Sequence, residues 1–357
     1  MRNKGRPHGQ KAEDLPVLQD VIQTEQGRDI RCKICPRACQ LTRDQVGFCG
    51  NRGAIEDKRG QLMLVPTKVE RIDALNVDPI EKKPLYHFYP GRDVLSMGLP
   101  GCNMTCEFCQ NHHLSQKPQS SSKFSFNESI IEDVLKLLTN EERLKRVPVV
   151  AYTYSEPMTW YEFVYQLSQE VQALGFRNVI VTNGMIRKTP LKHLTPFIDG
   201  ANIDVKGFKD SNYQKLGGDL GTVLETVDTL HEDGVHVELT YLVIPGFNDQ
   251  SEEVSQFVQW VSRRSQNIPV HFSRYFPNHR MTHPSTPIQT LKTCYEIARG
   301  KLNYAYLGNV QETSYQTTYC ANCSEPVIER HRFQVQNKLL HGCCPECGEK
   351  IPGVFEE

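Results

Sequence analysis

Short apolar segments alternate with amphipathic segments between about residue 94 and residue 310. Seven apolar segments have the length of buried strands: Val94–Leu99, Val149–Tyr152, Asn178–Thr182, Ala201–Val205, His236–Ile244, Val270–Tyr275 and Asn303–Leu307. Helical patterns lie between them, and in residues 251–265 one apolar face recurs at helical spacing, formed by Val254, Phe257, Val258 and Val261. The alternation predicts a parallel α/β fold, barrel-like or doubly wound, with its chemistry at the carboxyl ends of the strands.

Composition excludes several classes of protein. The 357 residues include 41 Lys+Arg and 42 Asp+Glu, and a net charge of -1 argues against a globally basic nucleic-acid binder. No apolar run approaches the ~18 residues of a membrane span. The opening residues, MRNKGRPHGQKAEDLP, lack the apolar core of a secretory signal. We therefore expect a cytoplasmic protein without a membrane partner.

The thirteen cysteines fall into three tight groups, with Cys294 apart. Cysteines two or three residues apart in a cytosolic chain are better placed to ligate a metal than to pair as disulfides. We expect three metal sites and four regions. These regions are a basic flexible tail (1–27), a four-Cys module (28–65), an α/β core (66–315) and a cysteine-bearing C-terminal domain (316–357).

The central group has the spacing C-x3-C-x2-C and follows the first strand of the core. Cys102, Cys106 and Cys109 can hold three irons of a [4Fe–4S] cluster and leave the fourth iron open to a reacting molecule. The alternative is a structural zinc site closed by His112 or His113.

Polar residues follow the next three strands. Glu156 ends the second strand in AYTYSEP, Thr182 and Asn183 end the third in VTNGM, and Asp204 and Lys206 share one face at the end of the fourth. Each has a structural alternative: a helix-start carboxylate, an ordinary turn, and an exposed ion pair. Together they predict a polar site beside the three cysteines.

The array and these motifs resemble the radical S-adenosylmethionine (radical SAM) superfamily. The resemblance implies a cluster whose open iron is chelated by SAM, and whose electron releases a 5′-deoxyadenosyl radical that abstracts hydrogen. It implies SAM-contacting roles for residues at the strand ends: Glu156, Thr182, Asn183, Asp204, Lys206, His271 and Asn309. For His271, a purely structural role is the alternative.

The order of the motifs narrows the resemblance to the AmmeMemoRadiSam-system radical SAM proteins, relatives of the pyruvate formate-lyase activating enzymes. NVDPIEKKPLYHFYPG, GCNMTCEFCQN, YTYSEP, VTNG, IDVKGF, VIPGFND, HFSRYFP and YLGNV occur in that group's order, from about Cys32 to the C-terminus. This resemblance implies a partial (βα)6 TIM-barrel core. It does not supply a substrate.

The two flanking groups are predicted to be closed metal sites. Cys32, Cys35, Cys39 and Cys49 have the spacing C-x2-C-x3-C-x9-C, which suits an auxiliary iron–sulfur cluster or a zinc ion. Two CxxC knuckles predict a C-terminal zinc ribbon, with Cys320, Cys323, Cys344 and Cys347 as ligands. We interpret Cys343 as a bystander and Cys294 as a buried apolar residue.

The functional prediction is a radical SAM enzyme acting on a substrate such as a protein, as activating enzymes do, with an electron donor such as flavodoxin or ferredoxin. One alternative is radical SAM modification of an RNA. An alternative of another class is a non-catalytic iron–sulfur and zinc scaffold. The scaffold hypothesis explains the cysteines but not the polar residues at the strand ends.

Overall fold

Two small antiparallel β-structures precede the core in the computed structural model, which describes residues 18–24, 27–66, 72–116, 128–140, 148–331 and 334–355. Strands β1 (Gln19–Thr24), β2 (Gly27–Cys32) and β3 (Gln40–Leu41) form one sheet, and β4 (Arg52–Glu56) pairs with β5 (Leu62–Pro66). Residues 19–24 of the expected flexible tail are thus a strand, because they pair with β2 over six positions. Residues 1–17 of that tail lie outside the described residues.

An eight-stranded sheet forms the core. Its strands are β6 (Ala74–Pro79), β7 (Asp93–Gly98), β8 (Val149–Tyr152), β9 (Arg177–Thr182), β10 (Gly200–Asp204), β11 (His236–Val243), β12 (Val270–Arg274) and β13 (Ala305–Gly308). They lie side by side in chain order; β6 is antiparallel to β7, and β7 to β13 are parallel. The seven predicted strands are confirmed to within two residues at each end.

The family resemblance implies six parallel strands, and this number is one too small. The parallel part has seven strands, because Ala305–Gly308 pairs in register with β12. The antiparallel strand β6 lies within the predicted core region, residues 66–315, but is not one of the seven predicted strands. The carboxyl ends of seven parallel strands therefore lie along one edge of the sheet, where the predicted chemistry belongs.

Helices connect the parallel strands. They are α1 (His112–Ser115), α2 (Glu128–Asn140), α3 (Tyr161–Ala173), α4 (Lys188–Leu194), α5 (Asp210–Lys215), α6 (Leu220–Glu232), α7 (Ser251–Ser262) and α8 (Ile288–Arg299). The predicted apolar face of α7 is fully buried at Val254, Phe257, Val258 and Val261. Within the described parts of the chain, no helix has the length and apolarity needed to cross a bilayer.

A small antiparallel sheet follows the core. It consists of β14 (Thr318–Tyr319), β15 (Pro326–His331) and β16 (Gln334–Asn337). Its buried residues, among them Val327 and Ile328, share an apolar cluster with Tyr86, Tyr304 and Tyr306 of the core. The C-terminal cysteines are therefore attached to the core through a common apolar cluster.

A buried carboxylate near the amino-terminal end of β11 joins several segments. Glu238 accepts hydrogen bonds from Tyr86 N (2.9 Å), His87 N (2.7 Å), His236 Nε2 (2.9 Å) and His271 Nε2 (2.6 Å). Burial lowers the pKa of His87 to about 4, so its neutral ring donates from Nδ1 to Pro352 O (2.7 Å). This network joins residues 86–87 and the C-terminal region to the amino-terminal parts of β11 and β12, beneath the sheet.

Candidate active site

The three central cysteines lie on the loop that follows β7, at the carboxyl edge of the sheet. The Cys102 Sγ accepts hydrogen bonds from Met104 N (3.4 Å) and Asn183 Nδ2 (3.6 Å), and the Cys109 Sγ lies 3.2 Å from Ser115 Oγ. Burial raises the pKa of the Cys106 thiol to about 11, and the nearby Lys206 ammonium acts in the opposite direction. The loop thus carries one buried and two partly buried thiols, with a cation near Cys106.

Gly101 allows the loop to pass against the N-terminal module. Its φ is +102°, and a Cβ added there would lie 2.4 Å from Cys49 O and 2.5 Å from Asn51 Nδ2. Asn51 Nδ2 donates to Pro100 O (2.8 Å) and to Thr159 Oγ1 (2.7 Å). A side chain at position 101 would therefore push the N-terminal module away from the loop that carries Cys102.

Glu156 lies at the carboxyl end of β8 with 2% of its surface exposed. Its carboxylate accepts hydrogen bonds from Thr182 Oγ1 (2.7 Å), Asn183 N (2.8 Å) and Met158 N (3.1 Å). Burial raises the pKa of Glu156 to about 7, although these three donors favour the ionised form. The bond from Met158 caps the short helix over residues 157–160, so Glu156 also has the helix-start role weighed from the sequence.

Asn183 connects this carboxylate to the cysteine loop. Its backbone N–H binds Glu156, and its side-chain Nδ2 donates to Cys102 Sγ and to Asn103 Oδ1 (2.9 Å). Asn103 Nδ2 in turn donates to Met185 O (2.7 Å). The predicted residues Glu156, Thr182 and Asn183 are therefore brought together next to Cys102.

The predicted pair at the end of β10 also faces the cysteines. Lys206 Nζ lies 3.0 Å from Asp204 Oδ2 and 6.0 Å from the centre of the Phe108 ring, which is within the cysteine loop. Burial opposes the charged form of Lys206, but Asp204 and the Cys106 sulfur outweigh it and raise the pKa above its ordinary value. Lys206 therefore supplies a positive charge beside Cys106.

The other two predicted SAM contacts differ in position. His271 is near the amino-terminal end of β12, is 2% exposed and binds Glu238, so the structure places it in the network around Glu238 and away from the three cysteines. The strand direction explains this, because only residues near its carboxyl end reach the site. Asn309 does follow the carboxyl end of β13, where it is exposed and donates to Arg274 O (3.2 Å).

The sequence reasoning missed residues that tie the loop to its surroundings. Arg37 donates from Nε to Asn103 O (2.5 Å) and from a terminal nitrogen to Gly217 O (2.8 Å). The position of Asn103 directly after Cys102 was a usable signal. Arg37 lies between two cysteines of the N-terminal group, but nothing in its local pattern indicates a partner 66 residues away.

The other two cysteine groups differ in geometry. The ligand atoms of Cys320, Cys323, Cys344 and Cys347 all lie within 4.8 Å of one another, and two Sγ pairs are 3.6 Å apart. The N-terminal cysteines, Cys32, Cys35, Cys39 and Cys49, instead line a cavity together with Asn103. Cys294 is buried at 2% exposure, as expected for an apolar residue.

Comparisons with known proteins match this arrangement. Residues 98–258 match the family model for the radical SAM superfamily, a span that contains all three loop cysteines. These residues form a radical SAM domain. This radical SAM protein is also 37% identical over 332 residues to an uncharacterized protein of Methanocaldococcus jannaschii, covering 91% of this chain and 96% of the relative. The radical SAM domain, and not this uncharacterized relative, identifies the protein as an enzyme.

More distant relatives include activating enzymes. The benzylsuccinate synthase activating enzyme of Thauera aromatica is 20% identical over 261 residues, 71% of this chain and 76% of the relative. Among solved structures, Streptococcus suis SuiB bound to S-adenosylmethionine is 15% identical, with a TM-score of 0.48 over 64% of this chain and 53% of SuiB.

The superfamily implies a [4Fe–4S] cluster and SAM as cofactors, and the site residues fit them. Three thiols from one loop match three irons. The carboxylates of Glu156 and Asp204 and the ammonium of Lys206 offer the charges that complement the amino and carboxylate groups of SAM. Asn183 would hold the Cys102 sulfur in place through its Nδ2–H.

Proposed function

We propose that this enzyme binds its cluster through Cys102, Cys106 and Cys109 and cleaves SAM reductively there. The observation that carries the proposal is the convergence of the cysteine loop with the ends of β8, β9 and β10. Glu156, through Thr182 and Asn183, is hydrogen-bonded into the same network as the Cys102 sulfur. When bound, the cluster would supply one electron to SAM, which would break the C5′–S bond and release methionine and a 5′-deoxyadenosyl radical.

In this proposal the protein's own residues orient SAM and limit its exposure to water. Lys206 pairs with the SAM carboxylate, and Glu156 or Asp204 receives its ammonium. Asn183 donates to Cys102 and thereby positions the cluster's ligand. Phe108, which is 5% exposed, covers part of the loop between Cys106 and Cys109.

The test is anaerobic reconstitution with iron and sulfide, followed by SAM and dithionite, with 5′-deoxyadenosine measured by chromatography. Wild-type protein should form it, and Cys106→Ala should not. Cys343→Ala is the matched control, because this cysteine lies outside all three proposed ligand sets. Cleavage that persists in Cys106→Ala would refute the assignment.

We further propose that the substrate is a protein and that the chain belongs with the AmmeMemoRadiSam-system proteins. Support comes from the motif order and from relatives named as activating enzymes for benzylsuccinate synthase and for 4-hydroxyphenylacetate decarboxylase. Reduced flavodoxin or ferredoxin should replace dithionite as the electron donor. The named relatives act on enzymes, which makes a polypeptide the preferred substrate class.

The substrate class can be tested with an anaerobic extract of the source cells, separated by size. A macromolecular fraction should stimulate 5′-deoxyadenosine formation, and the stimulation should be lost after protease treatment but survive ribonuclease. The opposite sensitivity would refute a protein substrate and support the RNA alternative.

For the C-terminal group we propose one structural zinc ion. Zn–S bonds of about 2.3 Å place the sulfurs of a tetrahedral site about 3.8 Å apart, close to the two observed separations of 3.6 Å. Elemental analysis of anaerobically purified protein should find this zinc, and Cys344→Ser should lose it. Zinc retained in Cys344→Ser would contradict the proposal.

A further inference from the structure

The four N-terminal cysteines surround a shared space. Cys32, Cys35, Cys39 and Cys49 line a cavity that is partly open to solvent. Its other walls combine the buried apolar side chains of Ile34 and Leu41 with polar residues: Arg37, Arg52, Asn103 and Thr159. Four cysteines around one cavity provide the ligands that an iron–sulfur cluster requires, and the polar side chains beside them can donate hydrogen bonds to its sulfurs.

Arg52 adds a second observation at this cavity. It lines the cavity, is 2% exposed, and forms a two-pronged ion pair with Glu162 through its terminal nitrogens. Its Nε is buried and finds no hydrogen-bond partner among the described residues. A buried donor without an acceptor lowers the stability of the fold, so an acceptor bound in the cavity would remove this cost. Thiolate and sulfide sulfurs are such acceptors.

The spacing of the thiols separates a cluster from a single ion. The C-terminal sulfurs all lie within 4.8 Å of one another, as one tetrahedral zinc ion requires. In the part of the chain that the structure describes, which includes all four N-terminal cysteines, these four do not form such a group. They enclose a cavity instead, and this arrangement favours a cofactor with several metal atoms.

We propose that Cys32, Cys35, Cys39 and Cys49 ligate a second [4Fe–4S] cluster and that Arg52 Nε donates a hydrogen bond to one of its sulfur atoms. Four cysteines complete the coordination of all four irons, so this cluster has no open position for SAM. It is therefore distinct in chemistry from the cluster proposed at Cys102, Cys106 and Cys109, and it does not depend on that proposal.

The second site directly adjoins the first. Asn103 lines the cavity of the N-terminal cysteines, and its side chain accepts a hydrogen bond from Asn183, which also donates to Cys102. Arg37, within the N-terminal group, binds the backbone carbonyl of Asn103. A redox-active centre at this place would lie next to the SAM-cleaving site and be connected to it by two asparagine side chains.

The metal content of full-length, anaerobically purified protein tests the proposal. Two clusters and one zinc ion predict about eight irons, about eight sulfides and one zinc per chain. Cys106→Ala should retain about four irons whose Mössbauer spectrum is that of a fully cysteine-ligated cluster. About four irons with two zinc ions in the wild type, or no iron in Cys106→Ala, would overturn the proposal.

Variants at the N-terminal site provide an independent measurement. The double variant Cys35→Ala/Cys49→Ala should lose about half of the iron and keep the zinc, while Cys343→Ala keeps both. Iron unchanged in the double variant would overturn the proposal. Since loss of two ligands can unfold the module, the wild-type and Cys106→Ala measurements stand without it.

The Arg52 contact has its own readout. In the Cys106→Ala background, Arg52→Lys retains the charge facing Glu162 but removes the Nε donor. Hydrogen bonds to cluster sulfurs favour the more negative, reduced state. The reduction potential of the remaining cluster should therefore fall in Arg52→Lys. An unchanged potential would refute this contact.

Discussion

Replacing Glu238 by glutamine tests the network beneath the sheet. The carboxylate is fully buried, and each of its oxygens accepts two hydrogen bonds. Glutamine has nearly the same shape but presents one oxygen and one NH2 group. Two of the four donors would then face another donor, and one of these two would be a backbone N–H of Tyr86 or His87, which cannot change its role.

The magnitude follows from these contacts. An unsatisfied buried donor costs about 1–3 kcal/mol, and each hydrogen bond to a charged group contributes about 1.5–3 kcal/mol. We therefore expect Glu238→Gln to lower the free energy of unfolding by about 3 kcal/mol. At about 2 °C per kcal/mol, the value for large domains, the melting temperature should fall by about 6 °C.

The pH dependence has a defined sign. Burial alone would raise the pKa of Glu238, but the hydrogen bonds from His236 and His271 lower it well below the ordinary value of 4.5. A depressed folded-state pKa stabilises the protein above the unfolded-state value, and this stabilisation is lost as the pH falls below it. The wild-type advantage should therefore be complete at pH 7 and should shrink below about pH 4.5.

The assay is anaerobic differential scanning calorimetry of the metal-loaded protein, paired with SAM affinity. Glu252→Gln is the matched control, since Glu252 is exposed on α7 and binds Gln256 Nε2. SAM affinity should be unchanged in both variants, because Glu238 and His271 lie away from the carboxyl edge of the sheet. A melting temperature within about 1 °C of the control would refute the reasoning, as would a loss of SAM affinity in Glu238→Gln.

Three further predictions concern the cofactor sites. Glu156→Gln should weaken SAM binding by about 10- to 100-fold in calorimetric titration, because one charge-assisted hydrogen bond is lost; an affinity equal to that of the wild type would leave Glu156 with its helix-capping role alone. Lys206→Met should weaken SAM binding by about tenfold. Lys209→Met should not, although this half-exposed lysine also pairs with a carboxylate, that of the buried Glu253; equal effects in both variants would contradict the assignment. Cys344→Ser should lower the melting temperature and leave the iron content unchanged. A loss of iron would show that iron binding depends on the C-terminal site, which contradicts separate zinc and iron sites.

Much of the candidate site could be predicted because it depends on chain order. Cysteines within one loop lie near each other wherever that loop is placed. The group formed by Cys102, Cys106 and Cys109 could therefore be predicted without knowledge of the fold. Glu156, Asn183 and Lys206 follow the ends of neighbouring parallel strands, and parallel strands bring such ends to one edge. His271 is not at this edge, and its motif did not show how far along β12 the residue lies.

The sequence by itself determined the α/β alternation, the three cysteine groups and the polar residues at the strand ends, because each is encoded by local spacing. The tertiary structure alone decided the contacts between distant segments. Gly101 packs against Cys49 O, Arg52 pairs with Glu162, and Glu238 binds the backbone of residues 86 and 87. The residues that these contacts join are separated by 52 to 152 positions in the sequence. A local periodicity shows which face of an element a residue lies on, but it does not show which distant residue a buried charge will contact.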